Sequence, residues 1–117
     1  MRDFKRLVVW QRAYTLTLCL HREADSFSGR HRFGIGDQLT RAATSISANV
    51  AEGAGRDSVK EFKRFLTIAM GSATELEHHL MLARDLQLLD EQSVQTYLRE
   101  TIELQRMLHG LRSRVRF

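Results

Sequence analysis

The chain has 117 residues, one cysteine, no proline and a formal net charge of +4. That length holds a single domain, residues 1–117, and buries roughly 65% of the surface its unfolded form exposes, enough for a core without staples. Cys19 alone excludes an internal disulfide framework and a cysteine-rich zinc site, and no stretch approaches the ~20 apolar residues of a membrane span.

Apolar residues recur at helical spacing almost throughout. Val8, Val9 and Trp10 are followed at once by Gln11 and Arg12, too short for the apolar region of a signal peptide, so a cytoplasmic protein is expected. Val9, Ala13, Leu16, Leu20, Ala24 and Phe27 form the stripe of a first helix, and Cys19, in an apolar run of that helix, reads as a small buried hydrophobe. Leu7, Val8, Trp10 and Tyr14 exceed one bundle face and are candidate oligomer-interface residues. Residues 28–32 break the pattern with turn-forming and charged side chains. A second stripe runs Ile35, Leu39, Ala42, Ile46, Val50 and stops at Gly53-Ala54-Gly55, where glycines are expected to take the left-handed conformation that ends a helix.

The third helix starts at Ser58, which forms an S-x-x-E capping box with Glu61. Its stripe is Phe62, Leu66, Ala69, Ala73, Leu76, Leu80, Ala83. Asp90 is the expected N-cap of a fourth helix with Val94, Leu98, Ile102, Leu108, Leu111 and Val115 on its apolar face, interrupted by Gln105. Four amphipathic helices joined by short links imply an all-α fold, an antiparallel up-and-down four-helix bundle.

Arginine outnumbers lysine 15 to 3, and residues 1–33 carry +4, residues 34–57 −1, residues 58–89 zero and residues 90–117 +1. Arg2, Lys5, Arg6, Arg12, Arg30, Arg32, Arg112, Arg114 and Arg116 are therefore candidate nucleic-acid contacts, suited to neutralising backbone phosphates without reading bases. The competing readings are an arginine-rich codon bias, ordinary solvated helix faces and a frayed C-terminus.

Two blocks carry a more specific pattern. Gln38-Leu39, Arg41-Ala42-Ala43 and Ser45-Ile46-Ser47-Ala48-Asn49-Val50-Ala51-Glu52-Gly53 form one; Glu61-Phe62, Phe65-Leu66, Ala69, Gly71-Ser72 and Glu75-Leu76 form the other. With Phe4, Leu7, Trp10 and Tyr14 they closely resemble the bacterial four-helix bundle family of intervening-sequence proteins, first linked to reading frames inserted in 23S rRNA genes. The resemblance spans nearly the whole chain, and S-I-x-A-N-x-A-E-G is its specific part. It departs at Ser28 and Ser47, where the family usually has proline, and at Thr40, often arginine. The resemblance implies a homopentamer of bundles and suggests a partner among RNA or DNA. A related fold, an accessory protein of diversity-generating retroelements, pairs with a reverse transcriptase, so another protein is a second kind of partner.

Arg41, Ser45, Asn49, Glu52, Arg56, Ser72 and Glu75 are polar groups at or beside core positions. Burying them unpaired would cost several kcal/mol, so they read as a structural network within or between protomers, or as a ligand site. Glu75 and His78 share a helix face as in di-iron bundles, but no second Glu-x-x-His follows, so no metal or other cofactor is expected. No nucleophile–base arrangement, P-loop or dinucleotide fingerprint appears, and Gly53-x-Gly55 follows a helix rather than a strand. The sequence thus points to a non-enzymatic oligomer with two rival roles, nucleic-acid binding and accessory protein interaction.

Overall fold

The structure, a computed structural model, describes residues 2–116. Four long helices carry the fold: α1 (Val8–Asp25), α2 (Asp37–Ala54), α3 (Val59–Asp85) and α4 (Glu91–Arg114). A 3₁₀ turn, Phe4–Arg6, precedes α1. Cross-helix contacts give the direction of each helix. Arg12 reaches Glu100 and Glu23 reaches Tyr97, so α1 and α4 run antiparallel. Ser45 meets Ser72, and Gly53 lies against Phe62 and Phe65, which makes α2 and α3 antiparallel. Gln105 meets Glu77 and Arg112 meets Thr67, which does the same for α3 and α4. The result is an up-and-down four-helix bundle measuring 47 × 21 × 20 Å.

Every residue of the first three predicted stripes is buried, and Leu20, Leu39, Ile46, Val50, Phe62, Leu66, Leu76 and Leu80 are essentially sealed. Such side chains are worth about 2–5 kcal/mol each if cut to alanine. The fourth stripe is corrected at Ile102, which is half exposed, while Thr101 and Leu104 fill the core. Thr101 tolerates this because its hydroxyl donates to the Tyr97 carbonyl at 2.7 Å, satisfying the buried oxygen within its own helix. Gln105 is polar because it donates to Glu77 Oε1 at 3.0 Å across the α3–α4 seam.

Three helix ends differ from expectation. The link after α1 is shorter than residues 28–32: a helical turn already forms at Gly29–His31 and passes through a π-helical turn, Arg32–Gly36, into α2. Neither Gly53 nor Gly55 is left-handed; Gly53 stays helical, and Gly55 has φ −80°. The left-handed residue is Gln87, φ 61°, after α3. There Leu88 N–H bonds Ala83 O and Gln87 N–H bonds Arg84 O, each at 2.9 Å, the pair that defines a Schellman cap. At the α3 start Ser58 Oγ accepts from the Glu61 N–H at 3.1 Å, but the Glu61 carboxylate turns to Arg64 instead of closing the box. Asp90 caps α4 as expected, accepting from Ser93 N–H at 2.8 Å, and that bond holds its carboxyl below the usual range.

Candidate functional site

The antiparallel topology brings three separate stretches to one end of the bundle. The Arg2 N–H donates to Ala54 O at 2.8 Å, which straps the N-terminal segment to the end of α2. The Arg2 guanidinium lies 5.0 Å over the Phe62 ring and donates to Arg116 O at 2.8 Å. Arg112 donates to Thr67 Oγ1 at 3.1 Å, tying the last turns of α4 to α3. Arg56 and Arg64 both stack on Phe65, at 5.0 and 4.5 Å.

The charge consequence is large. Residues 2–6, 52–64 and 103–116, which meet at this end and include the ion-pair partners Glu52 and Glu103, hold eleven bases and five acids, a net +6. The opposite end, residues 22–37 and 84–91, holds four bases and six acids, a net −2. The basic pole contains Arg2, Lys5, Arg6, Arg112, Arg114 and Arg116 from the sequence reading. It adds Arg56, Lys60, Lys63, Arg64 and Arg106, which that reading passed over as nucleic-acid candidates. Their signal is faint in the sequence because Lys60, Lys63, Arg64 and Arg84 are balanced within their own helix by Glu61 beside them and by Glu75, Glu77 and Asp85 farther along.

The other three basic candidates lie elsewhere. Arg12 sits midway along the α1–α4 seam, its guanidinium donating to both Glu100 oxygens at 2.9 and 2.5 Å. That pairing raises its pKa and commits its donors internally. Arg30 and Arg32 are at the acidic end, Arg32 at 3.5 Å from Asp25.

The seven polar residues form separate groups. Ser45 Oγ and Ser72 Oγ share a 2.7 Å hydrogen bond, and Asn49 donates to Ser45 O and Oγ at 2.8 and 3.0 Å. Glu52 pairs with Arg56 at 3.1 Å. Glu75 approaches His79, not His78, at 3.8 Å. Arg41 is exposed and joins none of these. Among the described residues no group of three or more His, Cys, Asp or Glu is placed to hold a metal.

The interface candidates divide between two sides of α1. Trp10 stacks on Tyr14 at 4.8 Å and meets Phe4 edge-on at 4.9 Å. Tyr14 is 47% exposed and Leu18, one turn on, 42%. His21 continues this line and reaches Thr44 of α2 at 3.4 Å. Thr44, Ala48 and Ala51 follow at helical spacing on α2, so the outer α1–α2 face carries a short uncharged strip, bordered by Arg22 and Asp25 beyond Leu18 and His21 and by Asp37 and Arg41 before Thr44. Leu7 and Val8 instead border a cleft between the start of α1 and the end of α4. A second, open groove of about 570 Å³ follows the same seam past Leu16, Cys19 and Tyr97. Cys19 is half-buried in its wall, and burial together with the bond to Glu23 pushes the Tyr97 hydroxyl pKa up.

The family model of the 23S rRNA-intervening sequence protein matches residues 5–110. The chain belongs to that family. A crystal structure of a protein of unknown function, from the S23 ribosomal protein family of Bacteroides thetaiotaomicron, superposes with a TM-score of 0.84 at 21% identity, covering 91% of this chain and 96% of that one. At that identity the likeness speaks for the fold alone. No curated protein matches the chain. In this chain the S-I-x-A-N-x-A-E-G run builds the α2–α3 seam. Ile46 and Val50 enter the core, Ser45 and Asn49 bond across and along it, and Gly53 admits Phe62 and Phe65. Arg2, Arg112, Arg114 and Arg116 lie outside the matched span.

Proposed function

We propose that the protein is a non-enzymatic, self-assembling helical bundle that binds the backbone of RNA or DNA through its basic pole. The observation that carries this reading is the gathering of +6 at one end of an elongated molecule whose other end is −2. A polyanion releases counterions wherever such a surface neutralises its phosphates, so affinity follows charge density more than base sequence. Repetition of the pole around a homopentameric ring would raise a modest single-site affinity through avidity. The single Cys19 fits a reducing, cytoplasmic setting. Fluorescence anisotropy with labelled single-stranded and duplex oligonucleotides at low salt tests it. Micromolar or tighter binding supports the reading, and no binding refutes it.

The uncharged α1–α2 strip supports the assembly half of the proposal. Stacked Trp10 and Tyr14 offer rigid apolar area with little conformational entropy to lose. A second copy is its assigned occupant. Light scattering that returns a monomer would instead favour the accessory reading, with the strip facing a different protein.

A further inference from the structure

The basic pole holds a cleft between the 3₁₀ turn with the first turn of α1 and the last turns of α4. Its volume is about 450 Å³, and its walls carry three guanidinium groups: Arg6, Arg106 and Arg114. Leu7, Val8 and Met107 line it beside them. Glu103 pairs with Arg106 through both carboxylate oxygens. Among the described residues the Arg6 and Arg114 side chains have no acidic partner, and no carboxylate lines the cleft. Arg6 and Arg114 are thus two uncompensated like charges beside one hollow, which repel one another, and an oxyanion between them removes that cost.

Gly110 explains how Arg114 comes to be there. Arg106, Gly110 and Arg114 follow one another at steps of four along one face of α4, so the two arginines are about 12 Å apart along the axis. A Cβ at Gly110 would stand 2.9 Å from Arg114 Nη1 and 3.8 Å from its Cζ. The guanidinium therefore lies across the bare backbone of the glycine. A mid-helix glycine is unfavourable for helix formation, and this close approach is what it permits here.

We infer that this cleft is a nucleotide subsite of a single strand, in which the unpaired Arg6 and Arg114 hold a backbone phosphate while Val8, Leu7 and Met107 pack against the attached sugar or base. The apolar wall decides for a single strand. A duplex turns its bases inward and presents phosphate and sugar on a convex surface, whereas an unpaired strand can splay a base onto an apolar surface. Val8, 57% exposed, is then a contact waiting for a ligand.

The inference rests on the nucleic-acid reading above, and the experiment separates the two. Labelled single-stranded RNA is titrated with the full chain and with Gly110→Ala, Arg114→Ala and Arg22→Ala; Arg22→Ala is a charge control at the opposite end. Inorganic polyphosphate and a duplex serve as competitors. Losing a charged contact should weaken binding about tenfold in Arg114→Ala. Gly110→Ala keeps every charge and should raise the melting temperature, yet it displaces the guanidinium and should weaken binding several-fold. Arg22→Ala should match the wild type. No binding by the wild type overturns both the reading and the inference. Wild-type binding that Gly110→Ala and Arg114→Ala leave unchanged overturns the subsite alone. Polyphosphate competing as well as single-stranded RNA at equal phosphate concentration overturns the nucleotide contact.

Discussion

Substituting Gly53 by alanine sets two effects of opposite sign against each other. Helix propensity alone favours alanine by roughly 0.8–1 kcal/mol. A Cβ at Gly53, however, would meet Phe65 Cβ at 2.7 Å, Phe62 Cδ1 at 2.9 Å and Phe62 O at 3.3 Å. Two of these atoms are backbone or fixed directly to it, so no rotamer change clears them. The α2–α3 seam must open by up to an ångström, and overpacking of this kind costs about 1–3 kcal/mol. Opening also strains the 2.7 Å Ser45–Ser72 bond on the same seam. The difference of the two terms runs from about zero to 2 kcal/mol, and with two fixed atoms inside 3.4 Å Gly53→Ala should lose about 1 kcal/mol. Gly71, in the exposed middle of α3, is the control. A Cβ there would meet no atom within 4 Å, so Gly71→Ala should gain up to about 1 kcal/mol. Urea unfolding followed by circular dichroism, at one protein concentration, measures both. A Gly53→Ala protein as stable as the wild type would refute the reasoning.

Gln87→Gly should stabilise by about 1 kcal/mol, because glycine relieves the left-handed strain of the Schellman cap; a loss in the same urea assay counts against that cap. Burial, opposed by Glu75 and reinforced by His78, holds the His79 imidazole below its ordinary value of 6.5. The unfolded chain therefore takes up the proton first, so this contribution is fully present above about pH 6.5 and is lost as the pH falls from there through the lower folded value. His79→Gln should flatten the stability–pH slope between about pH 7 and 5, and an unaltered slope contradicts the assignment. Leu18→Glu, on the uncharged strip, should shift the protein to monomer in light scattering while leaving its helical spectrum intact. An unchanged mass would remove the strip from the assembly.

Much of the fold is legible in the sequence because burial along a helix is periodic. The first three stripes need no tertiary information to be found. The fourth is harder: Thr101 is polar by composition and buried in fact, since its hydroxyl bonds its own helix, and Ile102 one step away is apolar and exposed. Gly53 illustrates a different limit. A glycine near a helix end signals either a left-handed cap or a close approach, and only the positions of Phe62 and Phe65 decide between them. The α3 cap carries no glycine at all, so nothing marks Gln87. The basic pole is the largest gap. Summing charge by consecutive segment averages each long helix over both of its ends, and a charge-neutral α3 hides a basic start. Folding the antiparallel order into the sum would have placed Lys60, Lys63 and Arg64 beside Arg2 and Arg112.

The central claim is that affinity for nucleic acid comes from the basic pole, and the salt dependence of binding tests it most directly. For a single strand, log K falls against log salt with a slope of about −0.7 for each neutralised phosphate. Neutralising Arg2, Lys5 and Arg6 together should therefore make the slope shallower by about 2. Neutralising Arg22, Arg30 and Arg32 at the acidic end should leave it unchanged. Equal slopes for the wild type and the pole variant, or a larger change from the variant at the acidic end, would contradict the account.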